Sequence, residues 1–560
     1  MPAAGRSSAS LLVVGLDGAT LDLVRPWVAD GGLPVLGGLL ARGAWGRLRS
    51  TVPSATFPAW TSLVTGVNPG RHGVLDFTER VPGSYRVRFV NGSYRRVPAL
   101  WNRLAAAGRR VAVLTVPATY PPEEVPGVMV SGFDSPLATG IDGSFVYPRD
   151  FHREIRRVVG RVPFADFQEV VTGPGWHDDA IARLLDGVDR RTRLALHCLE
   201  RERPDLLMVV FGESDTVSHH FWRFHDPASP RHAPSAFGEA IARVYAALDA
   251  ALGRLIAASP GSVVAVVSDH GSGGASDRVV HLNRRLASCG LLGFRPRTGR
   301  VARLLRSVAL RAVPHRLQGH VLRRARGAAG RLESASRFGG VEWATTVAYS
   351  EELDYHPSVW INLRGREPEG VVAPEAYEET RARVAAALEN WRDDAGRPVV
   401  QRVWRREELY SGSFSEGAPD LLLELALVDG YSPSCLRSDG PGPALRRLAP
   451  AEHGAGKGSG MNGAHRRDGM FALAGPGVPT AGDVGTADIT DVLPTLLALC
   501  GEPVPAGLDG RVIARALEVG AIEAPDALIG ETGAPRPYDG DAEDEVVARL
   551  TALGYLEPRA

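Results

Sequence analysis

Along the chain, short runs of aliphatic and β-branched residues break off abruptly at polar ones. LLVVGL (Leu11 to Leu16), VAVLTV (Val111 to Val116), LLMVVF (Leu206 to Phe211) and SVVAVV (Ser262 to Val267) carry almost no polar side chain. A strand with one wet face alternates polar and apolar, whereas a run apolar throughout is covered on both faces, as in a largely parallel sheet. Between these runs lie helical patterns such as ALWNRLAAAGRR and FGEAIARVYAALDAALGRLIAA. Their alternation predicts an α/β three-layer sandwich with a central, mostly parallel sheet and helices on both faces. The sheet pattern resumes in PSVWINL and DLLLELALV and ends with MFALAG. DITDVLPTLLALCG then reads as an amphipathic helix closed by Gly501, and DAEDEVVARLTALGYLE as a last helix whose acidic start suits the helix dipole.

One stretch interrupts this order. From Arg295 to Arg337 there are twelve arginines against a single acidic residue, Glu333, with apolar residues interleaved. It reads as a helical insertion presenting a basic face to solvent or to the rest of the protein. The sharper alternative is a cap or partner-binding element that draws in anionic substrates. The chain therefore divides into a catalytic domain of residues 1–290 and 341–520, an insertion at 291–340, and a C-terminal tail with its helix at 521–560.

Composition narrows the class. The 560 residues are 44% hydrophobic, enough for a large core, and 64 basic side chains balance 64 acidic ones. A net charge of zero gives no global attraction to nucleic acid or an acidic membrane, and neither partner is expected. The four cysteines, Cys198, Cys289, Cys435 and Cys500, stand far apart, which argues against a disulfide framework or a thiolate zinc site. The opening MPAAGRSSAS runs through LLVVGL straight into Asp17, unlike a signal peptide, and no apolar stretch approaches the ~18 residues of a membrane span. A cytoplasmic enzyme is the expectation.

The chemistry gathers where the apolar runs end. Ligands of open α/β sheets bind beyond the carboxyl ends of the strands. LLVVGL ends in Asp17, LLMVVF leads through Gly212, Glu213 and Ser214 to Asp215, and SVVAVVS ends in Asp269-His270. His219 follows Asp215 by four residues, so on a helix both side chains share one face and can reach one cation. A late loop, NGAHRRDGMF, adds His465 just before another apolar run. Each residue alone could be a helix cap or a structural histidine. Together they place carboxylates and imidazoles on one edge of one sheet, a donor set without thiolate that suits Zn²⁺, with Mn²⁺ as the alternative.

A nucleophile candidate lies in STVPSATFPAWTSLVTG. Pro58 suits the first turn of a helix and Gly66 its end, so Thr56 falls near the N-terminus, where free N–H groups and the dipole favour a phosphate. A threonine hydroxyl is a weak nucleophile at its ordinary pKa, and coordination to a metal would activate it.

The strings GLDG, TFPAWTSLVTGVNPGRHG, DTVSH, SDHG and GAHRRDG occur in the order seen in the alkaline phosphatase superfamily. Between about Leu11 and Asp509 the chain most closely resembles the type I phosphodiesterase/nucleotide pyrophosphatase branch and its bacterial phosphohydrolase relatives. That resemblance implies two divalent ions roughly 4 Å apart, one held by Asp17, Thr56, Asp269 and His270 and the other by Asp215, His219 and His465. It implies attack of the Thr56 oxygen on the phosphorus of a small phosphoester, a covalent phospho-threonine, and its release by water. Charge on the phosphoryl oxygens would be met by the ions and the Phe57 backbone N–H.

The chain departs from the nucleotide pyrophosphatases where their Thr-Phe-Pro-Asn resembles Thr56-Phe57-Pro58 followed here by Ala59, which puts nucleotide diesterase activity in doubt. Trp60 reads as a packing residue, His72 as structural, and Glu213 as a capping or supporting carboxylate. Lys457, the chain's one lysine, lies in HGAGKGSGMNGAH, eight residues before His465, and is a candidate phosphate contact beside the alternative of chance survival in a flexible loop. Sulfatases would need a Cys/Ser-x-Pro-x-Arg string, which is missing at this position. A phosphomutase of the same superfamily and a non-catalytic anion-binding relative are the remaining alternatives. The completeness of the Asp/His/Thr set weighs against the second.

Overall fold

The computed structural model describes residues 9–135, 143–160, 175–295, 338, 340–353, 356–438, 440–453, 461–518, 520, 522–524, 535–538, 542–543 and 546–547. Most of the arginine-rich insertion, Lys457 and most of the C-terminal helix read from sequence lie outside the described residues.

Strand β1 (Leu11–Leu16) is followed by helices α1 (Leu21–Ala29) and α2 (Pro34–Arg42), strand β2 (Ala44–Arg49) and helix α3 (Thr56–Thr65). Helix α4 (Leu100–Ala106) leads to β3 (Val111–Val116), β4 (Gly127–Ser131) and β5 (Val146–Tyr147). The long helix α5 (Trp176–Glu202) precedes β6 (Leu206–Phe211), α6 (Glu213–His225), α7 (Ala240–Ala258), β7 (Val263–Val267) and β8 (Gly271–Val280). Then come β9 (Ala348–Tyr349), β10 (Ser358–Ile361), α8 (Tyr377–Glu389), β11 (Val400–Arg405) and β12 (Leu421–Leu425). Strands β13 (Gly463–Arg466), β14 (Asp468–Ala474) and β15 (Gly482–Asp488) and helix α9 (Val492–Leu499) follow.

Nine strands form the main sheet in the order β15-β2-β14-β7-β1-β6-β3-β4-β5. Strand β1 runs parallel to both β6 and β7, and β3 runs parallel to β6 and β4. Strand β14 is antiparallel to its neighbours β7 and β2. Successive strand residues point to opposite faces, so a continuous apolar run demands cover on both. Leu12, Val14 and Leu16 of β1 accordingly pack with α1, α2, α5, α6 and α7, while Leu11 and Val13 pack with α3, α4 and α9. The expected mostly parallel sheet with helices on both faces is what the chain forms.

Two of the late strands belong elsewhere. PSVWINL and DLLLELALV supply β10 and β12, which pair with each other in a separate four-stranded sheet ordered β9-β10-β12-β11. Val359, Ile361, Leu421 and Leu423 pack there with Val384 and Leu388 of α8 in a core of their own. An apolar run reports that a strand is buried, and does not report which sheet buries it. MFALA, in β14, does join the main sheet. Among the described residues no helix is long and apolar enough to cross a membrane.

The topology brings five chain segments to one edge. Strands β6, β1 and β7 are parallel neighbours, so Asp215, Asp17 and Asp269-His270 leave from the same end of the sheet. Strand β14 runs the opposite way, so its beginning, just after His465, lies at that edge. Strand β2 is antiparallel to β14 and ends opposite its start, with Arg49 beside Asp468 and Ser50 N donating to Arg467 O at 2.8 Å. The segment from Ser50 to Thr56 therefore departs from the same edge.

Candidate active site

Every carboxylate and imidazole at this edge can be followed atom by atom. Asp269 Oδ1 accepts from Gly18 N at 3.2 Å, and Asp17 Oδ2 accepts from Trp60 Nε1 at 3.0 Å. Gly18 sits at φ +67, where a Cβ would lie 2.8 Å from Asp215 Oδ1, so glycine lets the backbone aim its N–H at Asp269. His270 Nδ1 lies 3.0 Å from Gly271 O. A carbonyl only accepts, so Nδ1 carries the hydrogen and Nε2 of the neutral ring presents a lone pair. That Nε2 is 3.5 Å from Asp17 Oδ1 and 3.4 Å from Asp269 Oδ2. All three atoms are buried, and none has a hydrogen-bond partner among the described residues. Three electron-pair donors facing one another in a dry site fit a cation.

A second group lies alongside. His219 Nδ1 is 3.0 Å from Gly463 O and His465 Nδ1 is 2.7 Å from Ser54 O, so both rings again turn Nε2 inward. The two Nε2 atoms stand 3.0 Å apart, and Asp215 Oδ1 is 3.3 Å from the first and 3.7 Å from the second. Asp215 and His219 occupy the first two turns of α6, the i, i+4 placement read from sequence. His270 belongs to both groups, because its ring stacks on that of His465 with centroids 3.7 Å apart. Ligand atoms of Asp17, Asp269 and His270 lie within 4.8 Å of one another, as do those of Asp215, His270 and His465.

The electrostatics are those of a site with excess negative charge. Burial, and then the neighbouring Asp269 and Asp215, push the Asp17 carboxyl well above its ordinary range. Asp269 is raised in the same way by burial and then by Asp215. For Asp215 burial works in the same direction but is outweighed by His219, His465 and His270, which hold it below the usual carboxylate range. Burial, and then His270, keep His465 from protonating. Three carboxylates in one dry place resist ionising together, and a divalent cation removes that conflict.

Thr56 is buried and opens helix α3, which ends at Gly66 in the left-handed conformation. Residues on either side of it are tied into both groups, Ser54 through His465 and Trp60 through Asp17. Helix geometry leaves the Phe57 N–H, in the first turn, without an acceptor inside the helix. Ala59 is buried and offers no polar side chain. His72 does not join either group: its Nε2 is 2.9 Å from Ser62 Oγ and its Nδ1 accepts from Val74 N at 3.2 Å. Glu213 is buried in an ion pair with Arg191 of α5, whose Nε also donates to Thr115 Oγ1 at 3.0 Å.

Several contributors escaped the sequence reading. Trp60 packs as read, but its N–H is also spent on Asp17. The acceptors Ser54 O, Gly463 O and Gly271 O are backbone atoms and leave no mark in side-chain identity. Arg191 is one arginine among many on a long helix, and only its burial singles it out.

The family model for type I phosphodiesterase / nucleotide pyrophosphatase matches residues 11–433. The chain belongs to this family. As a member of the type I phosphodiesterase/nucleotide pyrophosphatase family, within the alkaline phosphatase superfamily, it is a phosphoester hydrolase. The matched residues take in Asp17, Thr56, Asp215, His219, Asp269 and His270 and stop before His465, which joins them through geometry alone. Phosphonoacetate hydrolase from Sinorhizobium meliloti 1021, solved with phosphonoformate, superposes on this phosphodiesterase-family chain with a TM-score of 0.51 at 17% identity, covering 88% of this chain and 95% of its own. Its complex with phosphonoacetate gives the same score and coverage at 15% identity. At such identities the likeness is one of fold.

Proposed function

We propose that this hydrolase cleaves a small phosphoester through a covalent phospho-threonine on Thr56, with two divalent cations as cofactors. Asp17, Asp269 and His270, together with Thr56, would hold one, and Asp215, His219 and His465 the other. The observation that carries the reading is the common direction of the donors. Five of these side chains are tethered at one end by a hydrogen bond and turn their other ends toward one another, where a shared cation would be met by several electron pairs at once. Oxygen and imidazole donors without thiolate suit Zn²⁺, with Mn²⁺ the alternative. When bound, such ions supply the charge withdrawal that makes a threonine hydroxyl a competent nucleophile and stabilises a phosphoryl group in flight.

The chain's own residues do the rest. Helix α3 holds the Thr56 hydroxyl at the sheet edge, where the helix N-terminus favours an anion. A bond forms from Thr56 Oγ1 to phosphorus as the bond from phosphorus to the leaving oxygen breaks, in line, and the hydroxyl proton ends on the departing oxygen. The Phe57 N–H offers a hydrogen bond to a non-bridging oxygen as its charge grows. Water then attacks the phospho-threonine, restoring the hydroxyl and releasing phosphate or a phosphomonoester. With alanine at position 59, no side chain there assists binding of a phosphate oxygen, so discrimination between monoesters and diesters falls to other loops.

Intact-mass spectrometry of acid-quenched enzyme tests the intermediate. Wild type quenched during turnover gains the mass of one phosphoryl group on the peptide containing Thr56. Absence of that adduct, with turnover retained by Thr56→Ala, would remove the covalent route.

A further inference from the structure

Five side chains of the two groups are aimed by a hydrogen bond at their far end, and four of those bonds run to the backbone. The fifth is different. Asp17 Oδ2 accepts from the indole Nε1 of Trp60 at 3.0 Å, and both residues are buried. Trp60 stands one helical turn after Thr56, so a single ring joins the carboxylate at the end of β1 to the helix that begins with the nucleophile candidate. The opposite edge of the ring lies over β1 itself: a Cβ on Gly15 would be 2.4 Å from Trp60 Cη2. Glycine at position 15 therefore makes the room that lets the indole reach Asp17.

We propose that Trp60 is a positioning residue for the cation held by Asp17, setting which carboxylate oxygen faces His270 and linking that site to the placement of α3. This rests on the two-cation reading above. A carboxylate rotates readily about its last torsion, and the N–H removes that freedom by claiming Oδ2 and leaving Oδ1 toward His270 Nε2. Phenylalanine at position 60 keeps most of the buried ring and removes only the donor. Outer hydrogen-bond partners of metal ligands typically contribute about 10- to 100-fold in metal affinity, which sets the size of the effect.

The test uses the full chain, stripped of metal and titrated with Zn²⁺ against a competing chelator, for wild type, Trp60→Phe and Gly15→Ala. Wild type takes up two ions. In Trp60→Phe one of the two binds about tenfold or more weakly, the other binds as in wild type, and the far-ultraviolet circular dichroism is unchanged. Gly15→Ala, which keeps the donor but displaces the ring, shows the same selective loss. Equal affinity at both sites in wild type and a folded Trp60→Phe overturns this inference and leaves the two-cation reading standing. No uptake by wild type overturns both. Should the variants not fold, wild type labelled with ¹⁵N in its ten indole rings decides: one indole N–H signal shifts on adding Zn²⁺, and no shift overturns the inference.

Discussion

The His465 ring, through Nδ1, donates to the carbonyl oxygen of Ser54 at 2.7 Å across 411 positions of sequence. Ser54 lies two residues before Thr56, and the other nitrogen of the same ring faces His219 and Asp215. One imidazole thus ties the loop entering α3 to β13, which pairs with β8 outside the main sheet, while turning its other nitrogen to the second group. The bond exists because β2 and β14 are antiparallel, which sets the end of one beside the beginning of the other.

The two groups predict separable losses of metal. In Asp269→Asn the first group loses a charged donor, and in His465→Ala the second loses an imidazole. Each variant retains close to one equivalent of ion after dialysis, where wild type retains two, by inductively coupled plasma mass spectrometry. Full occupancy in His465→Ala would detach that residue from the cation sites.

The buried pair Arg191–Glu213 predicts an asymmetry between single and double substitutions. Removing one partner strands a buried charge, at a cost of about 3–5 kcal/mol. Glu213→Leu and Arg191→Met each lower the urea midpoint markedly, while the double variant carrying both is less destabilised than the sum of the two. Additive effects would mean that the pair is not coupled.

His72 predicts a pH dependence of stability. Burial, and then Arg95, lower its pKa to about 3 in the folded chain, against an ordinary value of 6.5. The unfolded chain therefore binds a proton that the folded chain refuses as pH falls below about 6.5. The stability is fully present above that value and declines toward pH 3, by up to about 1.4 kcal/mol per pH unit. Urea unfolding of metal-free protein at pH 7.5 and 5.5 shows a smaller pH effect in His72→Asn than in wild type. Identical pH slopes would contradict the assignment.

Much of this arrangement was legible in the sequence, and its gaps have physical reasons. LLVVGL, VAVLTV, LLMVVF and most of SVVAVV are strands β1, β3, β6 and β7 of the main sheet, because a doubly buried strand has to be apolar throughout. Asp17, Asp215 and Asp269 were recognisable in combination, because all three follow buried strands that end at one edge, although each alone could have been a helix cap. Asp215 and His219 were linked by helical spacing alone. The pairing of β10 with β12 was not legible, since hydrophobicity carries no information about partners. The second role of Trp60 was hidden for a related reason: an indole satisfies packing and hydrogen bonding with the same atoms, and sequence shows only the residue type.

The C-terminal segment predicts a dependence that reaches the site. Val546 and Val547 are buried in one cluster with Ala55, Phe57 and Phe77, the first two flanking Thr56. Tyr538 stacks on Tyr120 at 5.7 Å and its hydroxyl donates to Asp134 O at 2.8 Å. A chain ending at residue 534 loses on the order of 3 kcal/mol of apolar burial, read from its urea midpoint, and turns over substrate more slowly because Phe57 is less firmly held. Unchanged stability would show that the segment contributes nothing to that cluster.

Thr56 is proposed to act as a nucleophile only with divalent cations bound beside it. The most direct test of this role is hydrolysis of p-nitrophenyl phosphate and bis-p-nitrophenyl phosphate by metal-stripped protein, with Zn²⁺ or Mn²⁺ restored, in wild type and Thr56→Ala. Stripped wild type is inactive, added metal restores turnover of at least one ester, and Thr56→Ala stays at least about a thousandfold slower while still binding metal. Full activity in the stripped enzyme, or metal-restored activity in Thr56→Ala, would contradict it.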